Sequence, residues 1–268
     1  MFVLISLIVS VLVLIALFHF SKQRQTNLKR KFQLLVSLRA LLQLCREHRN
    51  VTHKAISTEK FDESKVTLLQ DNIRLQCQVL MSTAQFENRP MYRILGLKLH
   101  SLSKNWTEQT VARNQVIHGK AIRHCLFLMD EVVLAWLIEA GREELSDEYH
   151  LNWQIVLEAM EAVTQLRISF QDFEHHDGLL RSKFYSDRMR RKINQLAVIC
   201  PLTVASPNCS ANLATLSKIT SQDSLTISRD ELYQLTTDIS LTICQVYDQM
   251  LNNLTETLYQ PLPNLAMS

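Results

Sequence analysis

Apolar positions along the chain fall into two regimes. From Phe2 to Phe20 the residues FVLISLIVSVLVLIALFHF form an uncharged, almost wholly apolar run of 19 residues. At ~1.5 Å per residue a helix of that length approaches the ~30 Å hydrocarbon core of a bilayer. No Lys or Arg precedes the run and no small-residue cleavage signal follows it, so it is expected to stay as an anchor rather than to be removed. Lys22, Arg24, Lys29, Arg30 and Lys31 come directly after it. A basic flank marks the cytoplasmic side, so the N-terminus is expected outside and the rest of the chain in the cytoplasm.

Beyond the anchor the apolar residues recur at helical spacing. The pattern predicts helices over residues 26–56, 62–86, 90–103, 107–140, 146–173, 179–199 and 228–258. Gly141 reads as a helix stop, Ser146 as an N-cap, Asn88-Arg89-Pro90 as a turn and His175-His176-Asp177-Gly178 as another. Residues 200–227, rich in Ser, Thr and Asn, read as a connector with a short helical candidate inside. Only 4 Gly and 5 Pro occur in 268 residues, so long helices are the default and the fold class is all-α. No repeat period shows, and successive helix ends lie close in sequence. The expected architecture is an up-and-down helical double bundle, two stacked four-helix bundles, over residues 26–260. Residues 1–25 are the anchor with its basic segment, and 261–268 a short tail.

Composition narrows the function. Lys+Arg 29 against Asp+Glu 26 gives a formal charge of +3 with few aromatics, and the basic face of Arg181, Lys183, Arg188, Arg190, Arg191 and Lys192 reads as solvated, so nucleic acid is not an expected partner. The 6 cysteines are scattered without paired spacing, as buried thiols in a reducing compartment are. No phosphate-cradling glycine loop, nucleophile motif or metal-spaced His or Cys pair is visible, and His48 and His53 are not at the i,i+4 spacing of a helical zinc pair. Neither an enzyme nor a cofactor is expected. The His175-His176 pair and the acidic residues Glu143, Glu144, Asp147 and Glu148 fit turn composition and helix N-terminal charge preference.

Two arginines break the pattern. On the first soluble helix Leu28, Phe32, Leu35, Leu38, Leu42 and Cys45 form the apolar line, and Arg49 follows within ~40° of its centre. On the helix over 146–173, Tyr149, Trp153, Val156, Met160, Val163 and Phe170 define the stripe, and Arg167 sits in its middle. A guanidinium keeps its proton, and an unpaired buried charge costs several kcal/mol, so each needs an anion or water. Internal pairing is one reading, with Glu174, Glu47 and Asp172 as partners. Convergence of both forks on a small planar oxyanion is the other, for which bidentate hydrogen bonding suits nitrate. His118 lies centrally on the stripe of Val111, Ile122, Cys125, Met129, Val132 and Trp136, as a core histidine or a third polar member of the site.

The chain resembles the nitrate- and nitrite-sensing (NIT) domain of bacterial signalling proteins. Ser37-Leu38-Arg39-Ala40-Leu41-Leu42-Gln43 leading into His48-Arg49-Asn50 is similar to the family's opening helix and its "HRG" turn. Residues 122–133, Trp153-Gln154, Ala162-Val163-Thr164-Gln165-Leu166-Arg167 and Tyr233-Gln234-Leu235-Thr236 are similar to its later pieces, in order. The resemblance implies a helical double bundle that binds nitrate or nitrite through Arg49 and Arg167, with Arg46, His118 and Thr236 as further pocket candidates. It also implies a single-pass protein of the bacterial inner membrane. Family members usually carry an output module; none is visible before Ser268, so signalling is expected through a separate, unidentified protein, with a homodimer left open. Asn50 stands where the family has glycine, which predicts a remodelled pocket or its loss. The alternative is then an anchored helical scaffold with a degenerate pocket.

Overall fold

The computed structural model describes residues 2–58, 62–84, 89–170, 173, 175–222 and 227–263. The fold is all-α, and among the described residues there is no strand. The α-helices are α1 (Phe2–Thr58), α2 (Glu63–Thr83), α3 (Arg89–Ser103), α4 (Val111–Ala140), α5 (Ser146–Ser169), α6 (His176–Ile199), α7 (Pro201–Val204), α8 (Pro207–Ser221) and α9 (Arg229–Leu258).

Helix α1 has no Gly or Pro, and its 57 residues run unbroken for ~86 Å. Its first half is exposed, with Ile8, Leu12, Ile15 and Phe18 all more than half accessible. That half is apolar and long enough to cross a membrane. From Phe32 onward the same helix buries Leu35, Leu38, Leu41 and Cys45 completely. The change of environment happens without a change of backbone.

Helix starts follow local chemistry. Asp62, Thr110, Ser206 and Ser228 each cap the N-terminus of the helix they precede by accepting from a backbone N–H, and Glu231 completes a capping box with Ser228. Gly141 ends α4 in the left-handed region at φ 67°, as the stop signal predicts. Other boundaries differ from expectation. A 3-10 turn at Trp106–Glu108 takes the predicted start of α4, and another at Glu143–Leu145 makes Ser146 the first residue of α5 rather than its cap. The expected His175–Gly178 turn is already helical from His176. Of the expected Asn88-Arg89-Pro90 turn, Arg89 and Pro90 already open α3 and Asn88 lies outside the described residues; α2 ends at Thr83, short of the expected 86, where Ala84 turns extended.

The largest correction is the segment over 200–227, which holds the full helix α8. Its Ser and Thr hydroxyls donate to carbonyls four residues back, as Thr215 does to Ala211, Ser217 to Leu213 and Thr220 to Leu216. This bonding lets hydroxyl-bearing residues remain within a helix. Cys209, Leu216 and Ile219 supply the buried face.

The second half of α1 packs along α2 and α4, and α3 closes against both of those; α5 packs on α6 and α9, α8 lies against the same two, and α4 meets α5. Lys31 donates to the Ala135 carbonyl at 2.8 Å and pairs with Glu139 at 2.6 Å, which sets α1 antiparallel to α4. Arg39 on α1 clasps Asp248 on α9 with both prongs at 2.5 Å and donates to the Pro263 carbonyl at 3.1 Å. This buried bidentate pair ties α1 to α9.

Two glycines of α4 test the backbone argument in opposite directions. A Cβ at Gly119 would meet nothing within 4 Å, whereas Gly141 holds a positive φ. Gly119→Ala is expected to stabilise by about 0.5–1 kcal/mol through helix propensity, and Gly141→Ala to destabilise by about 1–2 kcal/mol. Urea unfolding of the two variants checks both signs.

Candidate functional site

Three further buried arginines meet near the C-terminal end of α1. Arg46 and Arg49 come from α1 and Arg167 from α5, and their exposures are 4%, 3% and 6%. Among the described residues no carboxylate pairs with any of them. Of the carboxylates open from sequence as internal partners, Glu47 accepts from Gln43 at 2.8 Å. Asp172 and Glu174 lie outside the described residues.

Each guanidinium is handled differently. Arg46 Nη1 donates to Gln43 Oε1 at 3.1 Å, and the same amide donates to Glu47. Arg167 is held by one residue of α9: Nε donates to Thr236 Oγ1 at 2.9 Å and Nη2 to the Thr236 carbonyl at 2.8 Å. Its Cζ lies 5.7 Å from the centre of the Tyr233 ring, a cation–π contact. Arg49 has the Tyr233 hydroxyl beside it, but its buried Nε and Nη2 have no partner among the described residues.

Burial, and next the charge of Arg49, push the Arg167 pKa well below the ordinary arginine range. Arg49 is lowered by burial and by the charge of Arg46, with Tyr233 acting in the opposite direction. His53 stacks on Tyr233 with ring centres 3.4 Å apart. Its pKa falls to about 4 through burial and then the charges of Arg167 and Arg49. A neutral imidazole is the form that tolerates such neighbours.

A cavity of about 490 Å³ opens onto this cluster between the ends of α1 and α5 and the starts of α4 and α9. Its walls include His53, Gln115, Arg167, Phe170, Tyr233 and Thr236; Arg49 is not part of its lining. All five residues singled out from sequence are buried: Arg46, Arg49, His118, Arg167 and Thr236. Arg46, Arg49, Arg167 and Thr236 are neighbours in one cluster.

His118 belongs to an adjoining network instead. Its Nδ1 lies 2.8 Å from the Asn114 carbonyl and its Nε2 2.8 Å from His48 Nδ1. The carbonyl only accepts, so His118 carries its proton on Nδ1, and His48 must donate from Nδ1 to the bare His118 Nε2. His48 Nε2 is then the acceptor for Gln70 Nε2 at 3.3 Å. Every contact is satisfied only with both rings neutral. Burial lowers His48 to about 4, and burial followed by the charge of His48 lowers His118 to about 3.

The His48-Arg49-Asn50 stretch, expected to run into a turn, lies inside α1, which continues to Thr58. Asn50 therefore needs no glycine-like backbone, and among the described residues Asn105 is the one non-glycine at positive φ. Its side chain accepts from the Tyr233 hydroxyl at 3.0 Å, tying α1 to α9. Sequence reasoning missed His53 and Tyr233 as site members. Their spacing was the available signal: His53 is one helical turn beyond Arg49, and Tyr233 one turn before Thr236.

Among the described residues no group of three or more His, Cys, Asp or Glu side chains is arranged to hold a metal ion. No family model matches the chain, and neither a curated protein nor a solved structure shows significant similarity to it.

The paired histidines fix a pH response. Their folded pKa values of about 4 and 3 lie below the ordinary 6.5, so the unfolded chain binds more protons between those limits. Their contribution to stability is complete above pH 6.5 and is lost as pH falls toward 4 and then 3. Urea midpoints measured from pH 8 to 4 should decline below pH 6.5, and a His48→Gln/His118→Gln variant should show a shallower decline. Equal slopes would disprove the assignment.

Proposed function

We propose that this protein is a membrane-anchored receptor for a small oxyanion, with nitrate or nitrite as its ligand, and that it signals through a separate protein. The observation that carries the reading is the meeting of Arg49 and Arg167, with Arg46 behind them, where no described carboxylate neutralises them. Planar oxyanions accept two parallel N–H bonds from a guanidinium fork, and an interior with few competing waters strengthens such bonds. Two buried Arg49 nitrogens, Nε and Nη2, have no partner among the described residues, the deficit such an anion would fill. The motif resemblance to nitrate- and nitrite-sensing domains supports the same ligand class. Binding alone is asked of the site, so the reading is a receptor and not an enzyme.

In this reading α1–α4 form one four-helix bundle and α5, α6, α8 and α9 a second stacked on it. The anion bridges them, since Arg49 comes from α1 and Arg167 from α5. The apolar half of α1 spans the bacterial inner membrane with the basic residues on the cytoplasmic side, and both bundles stand in the cytoplasm. Occupancy shifts the packing of α1 against α5 and α9, and the partner reads that shift.

One observation favours a second reading, an anchored scaffold whose pocket has closed. Thr236 already holds two of the Arg167 N–H groups, and the cavity reaches Arg167 but not Arg49.

Thermal unfolding of the full chain in detergent separates the two. Nitrate should raise the midpoint where chloride at equal ionic strength does not, through a stabilisation of about 2.7 kcal/mol at a hundredfold excess over Kd. Arg49→Met should lose that response while unfolding at a higher temperature than the parent without nitrate, because it removes an uncompensated buried charge. An unresponsive parent destabilised by Arg49→Met would support the scaffold.

A further inference from the structure

The cavity is much larger than an oxyanion needs. A water molecule takes ~30 Å³ of liquid, and an ion of nitrate's size displaces only a few waters, whereas the space in front of Arg167 is about 490 Å³. That volume falls in the ~300–1,000 Å³ range of pockets that enclose small organic molecules. We propose that the cavity binds a free α-amino acid with an apolar side chain, its carboxylate on Arg167 and its ammonium on Asp230. The proposal rests on the reading of the arginine cluster as an anion site and extends it to a second, cationic contact.

Arg167 is suited to the carboxylate end. Thr236 takes Nε and Nη2, which fixes the plane of the fork, and Nη1 has no partner among the described residues. The wall beside it is the first turn of α4, Val111 and Ala112, directly after the Thr110 cap, where backbone N–H groups lack helical partners and favour negative charge.

Asp230 is suited to the ammonium end. It lines the same cavity from the first turn of α9, is exposed to solvent, and forms no ion pair or hydrogen bond among the described residues. It precedes Thr236, where the fork is held, by six residues, or ~9 Å along the helix. A molecule that carries a carboxylate and an ammonium on one carbon, as an α-amino acid does, presents one charge of each sign to these two walls of the cavity. Val111, Ala112 and Phe170 leave an apolar wall between the two ends for the side chain. The site lies near His53, 33 residues beyond the end of the apolar run at Phe20, or ~50 Å along α1, so its guest arrives from water and not from the bilayer.

Calorimetric titration of the full chain in detergent tests this with L-leucine, 4-methylpentanoate (leucine without its amine), isoamylamine (leucine without its carboxylate) and nitrate. Leucine should bind at least about tenfold more tightly than either single-headed analogue, as expected of one added charge-assisted hydrogen bond. Asp230→Asn, at an exposed position, should reduce leucine to the affinity of 4-methylpentanoate and leave nitrate unchanged. Leucine no tighter than 4-methylpentanoate, or indifferent to Asp230→Asn, overturns this proposal; nitrate binding in the same series then leaves the oxyanion reading standing. If nitrate and 4-methylpentanoate both fail to bind, the oxyanion reading falls and this one with it.

Discussion

A guanidinium in a protein interior cannot discharge itself by giving up its proton, and the fold around the C-terminal end of α1 is built around three that meet. The surrounding residues limit what that costs. Gln43 passes a share of the Arg46 charge to Glu47, Thr236 gives Arg167 a hydroxyl and a carbonyl, and Tyr233 offers one arginine its ring face and the other its hydroxyl. The nearby imidazoles of His48, His53 and His118 are all held neutral by burial. These arrangements reduce the positive potential without cancelling it.

Arg39 shows how the same helix treats a guanidinium whose work is structural. It lies ten residues before Arg49, is equally buried, and has a bidentate carboxylate from α9. The contrast along one helix separates a pair that locks α1 to α9 from a cluster with no carboxylate partner among the described residues. Burial by itself does not make that distinction.

Periodicity was enough to turn Arg49 and Arg167 inward, because the direction of a side chain on a helix is set locally. What each arginine touches depends on helix packing, which one helix's period does not encode. His118 illustrates the limit: its inward direction is legible, yet its partner His48 lies 70 residues away on another helix. The helix α8 was hidden for a different reason. Its Ser and Thr residues are weak helix formers in isolation, and their back-bonding and the burial of Leu216 and Ile219 decide the outcome. At Asn50 the substitution for glycine suggested a strained turn, but a continuous helix makes that argument void, and the side chain gains a bond to Tyr233.

The continuity of α1 gives the cluster its reach. One helix carries both the apolar half that suits a bilayer and the arginines that face α5 and α9, with no glycine or proline between them to absorb a displacement. Lys31 fixes the register of that helix against the end of α4, and Arg39 fixes it against α9. A ligand shifts such a system only through a difference in affinity between two packings. In the receptor reading proposed above, repulsion among Arg46, Arg49 and Arg167 opposes their close approach in the empty state, and a bound anion removes that opposition. On that proposal the free energy available to move α1 is the electrostatic mismatch stored where no described carboxylate is placed.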